Sequence, residues 1–257
     1  MKAGLTADSC SPVRSTMAAM FAALLFLVVL QDGAKKLIAD GDAAYAKRDQ
    51  EGQPARAVEA YKKALVIDES SAEAYWKIAR VAFWTGQHEK DSEKKAAIFR
   101  DAIDYAKLAV DADKEGVAGH FWLALLYGLF GESKGIVQSL HLIEPMKAEL
   151  EWVVAHDEKF EAGGAHRILG MLYHKLPGIK GGDDDKAEQH LRRAVELAPG
   201  FFTNHLLLAQ LLVERGKKDE AKKILAAAME LKDGAEWGPE LKEDRAEAKK
   251  LLEALAK

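Results

Sequence analysis

Thirty-four residues separate Ala187 from Ala221, and the segments around them match position by position. His205-x2-Leu208-Ala209-x2-Leu212 sets one apolar helix face, and Arg215-Gly216-Lys217 breaks it. A second helix follows with Ala221-x3-Leu225-x2-Ala228. The preceding unit has the same order: His166-x2-Leu169-Gly170-x2-Tyr173, then Ala187-x3-Leu191-x2-Ala194, ending at Pro199. Small residues at fixed places let two antiparallel helices approach closely, while the larger ones fill the groove between them. A unit of this size cannot bury its apolar face alone, so the repetition predicts a stack of helix pairs.

The same template recovers three earlier units. His120-x2-Leu123-Ala124-x2-Tyr127 opens the third, whose second helix is expected from about Glu144 to His156 with Leu150 and Val153 inward. Tyr75-x2-Ile78-Ala79-x2-Ala82 and Ala102-x3-Ala106-x2-Ala109 form the second. Gly41 and Tyr45, then Ala57-x3-Tyr61-x2-Ala64, form the first. Gln87–Lys95, Glu132–Leu142 and Leu176–Asp185 read as insertions between paired helices, and Leu241–Ala256 as an amphipathic terminal cap. Alanine supplies 44 of 257 residues against six prolines, which agrees with helix. The fold expected over 34–257 is an all-α solenoid of about five helix pairs plus a capping helix.

The first 33 residues are of another kind. Met17–Leu30 carries no charge and follows Lys2 and Arg14. Fourteen helical residues span about 21 Å, short of the ~30 Å of a bilayer core. Residues 1–33 therefore read as a secretory signal or an uncleaved anchor, with membrane association through 17–30. The one cysteine, Cys10, precedes this run, so it cannot be a lipid-bearing cysteine after a signal, and no disulfide framework is possible within the chain.

The repeats resemble tetratricopeptide repeats throughout 34–257. The run from Gly163-Gly164-Ala165-His166-Arg167 to Tyr173, with Leu176-Pro177-Gly178-Ile179-Lys180-Gly181-Gly182-Asp183, is similar to the T-component proteins of TRAP transporters. That resemblance implies a periplasmic accessory of a solute-uptake system, docking a periplasmic solute receptor and often forming a homo-oligomer. The insertions also resemble those of the regulator-of-microtubule-dynamics proteins. The export-like leader and the Gly-Gly-x-His-Arg block favour the first resemblance.

Catalytic signatures do not emerge. The chain has no G-x-S-x-G and no phosphate-binding G-x-x-x-x-G-K-[ST], so it reads as non-enzymatic and cofactor-free. A net charge of −4 with both signs interspersed argues against nucleic acid. Gly181-Gly182-Asp183-Asp184-Asp185 lacks the spaced ligands of a calcium loop and reads as a helix start. His120, His166 and His205 recur one repeat apart, so they read as packing residues rather than metal ligands.

Function is then sought on the concave face of the first helices. Helical periodicity from the packing residue places Trp76, Arg80 and Phe83, then Phe121 and Leu125, then Arg167, Met171 and His174 toward it. An apolar middle bordered by cations would suit a protein partner's amphipathic helix or a small hydrophobic acid. The alternative to the transport accessory is a membrane-anchored scaffold or assembly factor that binds a partner peptide in the groove.

Overall fold

A computed structural model describes residues 31–135, 139–232 and 238–256. The run 17–30, on which the leader or anchor expectation rests, lies outside the described residues. Helix α1 spans 31–45, so it already contains 31–33. After it come α2 Gln53–Ile67, α3 Ala72–His88, α4 Ser92–Ala112, α5 Val117–Lys134 and α6 Ile143–Asp157. The chain continues through α7 Phe160–Lys175, α8 Asp184–Leu197, α9 Phe202–Glu214, α10 Lys218–Met229 and α11 Gly238–Leu255. The described residues contain no strand. Among the described residues, ten helices form five antiparallel pairs, and α11 packs on the last pair.

The pairs close on the repeated small residues. Ala57, Ala64, Ala106, Ala187, Ala194 and Ala221 have no exposed surface. Glycines take the closest crossings: a Cβ on Gly86 would lie 2.3 Å from the Phe99 ring, and one on Gly170 would lie 2.7 Å from Leu191. Helix α5 sits at the centre, packed against α3, α4, α6 and α7. It therefore buries Phe121, Trp122, Leu123, Ala124 and Leu126 on more than one side.

Two of the expected insertions are shorter than their sequence spans. Gln87 and His88 finish α3 and Ser92 opens α4, so the extra length became helix rather than loop. Asp91 stops any loop growth there, because its carboxylate accepts from the Glu93 and Lys94 amides, both at 2.9 Å. Leu176–Asp183 is a tight turn with a short 3-10 segment at Gly178–Lys180. Asp183 caps α8 by accepting from the Asp185 and Lys186 amides at 3.0 Å, so the acidic run starts a helix. The third insertion includes 136–138, outside the described residues, and then a 3-10 turn at Leu140–Leu142.

Two of the three repeated histidines join the two helices of a pair, and the third meets the turn before its own helix. His120 bonds Glu149 of α6 and stacks on Trp152 at 3.9 Å, while its other nitrogen meets the Lys114 carbonyl at 2.9 Å. His166 meets His190 of α8 at 2.9 Å, and His205 meets the Pro199 carbonyl at 2.8 Å.

Candidate functional site

A cavity of about 850 Å³ occupies the concave side, within the usual range for ligand pockets. Phe83 and Trp84 of α3, Phe121 and Leu125 of α5, and Met171 and Leu172 of α7 supply apolar wall. Met146 of α6 and Leu207 of α9 complete it. Five of the eight residues expected in the groove thus share one cavity: Phe83, Phe121, Leu125, Arg167 and Met171.

The other three lie elsewhere, for identifiable reasons. Arg80 Nη2 reaches Asp42 of α1 at 3.2 Å, and its guanidinium lies 4.2 Å from the Tyr45 ring and 5.1 Å from Trp76. Asp42 also takes Lys77 Nζ at 2.5 Å and the Tyr61 hydroxyl at 2.8 Å. Arg80 therefore ties α3 to α1, Trp76 packs beside it against the central core, and neither lines the cavity. His174 sits between Asp184 at 2.8 Å and Glu214 at 3.0 Å, joining α7 to α8 and α9. Helical periodicity located the concave side of α3 and α7 but could not foresee which neighbouring acid each cation would meet.

Arg167 has a different setting. Its Nη1 donates to Asn204 Oδ1 at 3.0 Å and to the Glu161 carbonyl at 3.3 Å, and its guanidinium lies 5.0 Å from the Phe201 ring. Burial pushes its pKa down to about 10, with Glu161 and Asp244 opposing. The surrounding backbone is unusual. Glu161, Ala162 and Gly163 take left-handed angles, with φ of 50°, 58° and 75°. That turn aims two carbonyls inward. Asn204, fully buried, donates to the Ala162 carbonyl at 2.9 Å and to Ala194 at 2.8 Å, holding the turn in place.

Carboxylates dominate the charge around the cavity. Glu132, Glu161, Glu240, Glu243 and Asp244 line it, against Arg167, Lys175 and His88. Three of these acids come from α11, which extends past its own repeat to the other end of the solenoid. Glu240 pairs with Arg48, in the turn after α1, and Glu243 meets His88 Nε2 at 3.0 Å. Asp244 accepts from the Thr203 hydroxyl of α9, while burial holds its pKa above the usual carboxylate range. The sequence reading missed this face, because a charged stripe on a terminal helix looks like solvated surface. The spacing Glu240, Glu243, Asp244, Glu247 marks one helical face and was the available signal.

The model of the family described as "Regulator of microtubule dynamics protein 1-3" matches residues 37–176, and a tetratricopeptide-repeat model matches 179–238. Similar curated proteins include regulator of microtubule dynamics protein 1 of Pongo abelii, 26% identical over 204 residues, covering 72% of this chain and 63% of that protein. The Homo sapiens protein is 26% identical over 196 residues, covering 69% and 60%. The chain thus spans about three fifths of the length of these relatives. Among solved structures, a tetratricopeptide protein of Thermus thermophilus superposes with a TM-score of 0.65 at 20% identity, covering 85% of this chain and 98% of that one. Pseudomonas aeruginosa pilF gives 0.56 at 18% identity, covering 88% and 93%. These two likenesses concern the fold.

The block Gly163–Tyr173 falls inside the first family match, so the second of the two narrower resemblances is the one the comparisons support. The expected periplasmic or envelope location is corrected with it. The relatives are proteins of Pongo abelii, Bos taurus and Homo sapiens, whose cells have no periplasm. The leader-like run had suggested export because length and flanking charge cannot tell an export signal from other apolar termini. Among the described residues, no helix is long and apolar enough to cross a membrane.

Proposed function

This chain belongs to the family described as regulator of microtubule dynamics protein 1-3, and we propose that it serves there as a non-catalytic adaptor whose cavity receives a basic, amphipathic segment of a partner protein. The observation that carries this reading is the pairing of an apolar wall with five lining carboxylates. A segment with one apolar face and lysines or arginines on the other would meet both, and the volume corresponds to about two turns of helix.

The same lining weighs against the small hydrophobic acid expected from sequence. Such a ligand would find Arg167 already met by Asn204 and flanked by Glu161 and Asp244, and would bring its charge among further carboxylates. The solute receptor drops out with the transporter resemblance. The scaffold that binds a partner peptide in its groove is the alternative developed here, its anchoring through 17–30 being part of the proposal. The relatives' name supports a partner among proteins that control microtubules.

A photoreactive benzoylphenylalanine at Met171, inside the cavity, tests the reading against the same group at Arg100, which is exposed on α4. Crosslinks from position 171 to a basic segment of one partner, mapped by mass spectrometry, are expected. Crosslinks confined to position 100, or onto acidic segments, would sink it.

A further inference from the structure

A contact between the two ends of the solenoid borders the cavity. Glu240 and Glu243, on the first turns of α11, reach Arg48 and His88 of the first two repeats. Arg48 is 4% exposed and lies against Tyr45 at 4.7 Å and Trp84 at 5.4 Å. The rest of α11 is held by its own end of the stack. Leu241 and Ala248 are buried there, Gln210 donates to Glu247 at 2.7 Å, and Arg245 donates to the Met229 carbonyl at 3.0 Å.

The two attachments differ in kind. The near one is apolar and capping, so it holds whenever the fifth repeat is folded. The far one consists of charged and polar groups: His88, Glu240 and Glu243 stand at the cavity rim within reach of water, while Arg48 is buried against Tyr45 and Trp84. A repeat stack is also springlike, since each unit touches mainly its neighbours and small rotations between units add up. Parting the far contact requires no helix to unfold.

Trp84, His88, Glu240 and Glu243 belong to this contact and also line the cavity. Any occupant that fills the cavity therefore touches the groups that form the contact. We infer that the contact of Arg48 and His88 with Glu240 and Glu243 is a clasp, and that a basic partner segment opens it by offering its own cations to the two glutamates. This rests on reading the cavity as a binding site. Entry would then be slow and selective: an apolar segment without cations could not displace Arg48, and a cationic one without an apolar face would gain little inside.

The test uses the full chain with Cys10→Ser and spin labels at Lys47→Cys and Lys242→Cys, both exposed positions flanking the clasp. Distances between the labels are read by pulsed electron resonance, with and without Glu240→Gln plus Glu243→Gln, which keep side-chain shape and remove charge. Entry of the neutral dye Nile red is timed by fluorescence in the unlabelled proteins. The glutamine pair should lengthen and broaden the distance distribution at unchanged helical content, and speed dye entry by about tenfold or more, since about tenfold is the worth of one hydrogen bond to a charged group and three contacts lose their charge. A distribution and an entry rate equal to those of the parent would overturn the clasp. If the dye enters no form of the protein, the cavity reading fails instead, and an unchanged distance still rejects the clasp independently.

Discussion

Arg48 and Glu240 stand 192 residues apart in the chain and meet through two parallel contacts, Nε to Oε1 at 2.8 Å and Nη2 to Oε2. A carboxylate matched by the flat guanidinium fork joins the first repeat to the terminal helix. Arg48→Ala should destabilise the protein by about 1.5–3 kcal/mol, the worth of hydrogen bonds to a charged group. Arg48→Lys should recover little of it, since an ammonium cannot form both contacts in one plane. Urea unfolding of the three proteins checks this, and a lysine variant as stable as the parent would contradict it.

The left-handed turn near the start of α7 stores strain at two residues that carry a Cβ, Glu161 and Ala162. Ala162→Gly should raise stability by about 1 kcal/mol, because glycine tolerates that conformation without the Cβ clash. Gly163→Ala should do the reverse: its φ is +75°, and a Cβ would lie 3.2 Å from the Ala194 Cα. Thermal midpoints moving in opposite directions are the expected result.

Asn204 holds that turn to α8 and α9. Asn204→Ala would leave the Ala162 and Ala194 carbonyls and one Arg167 donor without this partner. The loss should be about 2–4 kcal/mol, since each buried group left unmet costs roughly 1–3 kcal/mol and some will find water. An equilibrium unfolding curve gives the value directly.

Packing at the helix crossings makes a separate demand. Ala221 has no exposed surface between α9 and α10, so Ala221→Leu should overpack and cost about 1–3 kcal/mol. Gly86→Ala should be destabilising through its clash with Phe99, although alanine favours helix more than glycine does. A stabilised Gly86→Ala protein would show that α3 and α4 cross elsewhere.

His190 gives a pH prediction with a definite sign. Its ring faces Tyr173, its Nδ1 meets His166, and Lys186 lies on its own helix. Burial first, then the His166 and Lys186 charges, push its pKa down to about 4. His166 is lowered too, by burial above all, with Glu158 opposing and Arg193 adding a little. The unfolded chain protonates both near pH 6.5, so it binds more protons than the folded chain below that point. Stability from this pair is complete above about pH 6.5 and lost as pH falls toward about 4. Unfolding midpoints at about pH 7.5 and about pH 5 should therefore diverge less in His190→Asn than in the parent.

The repeat itself was legible in the sequence. Small residues at Ala187, Ala194, Ala221 and Ala228 must sit where helices cross, because no larger side chain fits between two backbones so close. That local rule fixed the five pairs, the cap and the concave side of the first helices. Helical phase put Phe83, Phe121, Leu125, Arg167 and Met171 on the side where the cavity lies, but the same phase also selected Trp76, Arg80 and His174, which do not line it.

What lay beyond sequence was decided by the curvature of the stack. Whether Arg80 faces a cavity or Asp42, and whether α11 covers the fifth repeat only or reaches Arg48, depends on small rotations between units. Those rotations add over five repeats, so the ends meet or miss by many ångströms for a few degrees at each junction. No residue pattern within one unit encodes that sum. The charged face of α11 became the rim of a cavity only because the superhelix carried the first two repeats around to it.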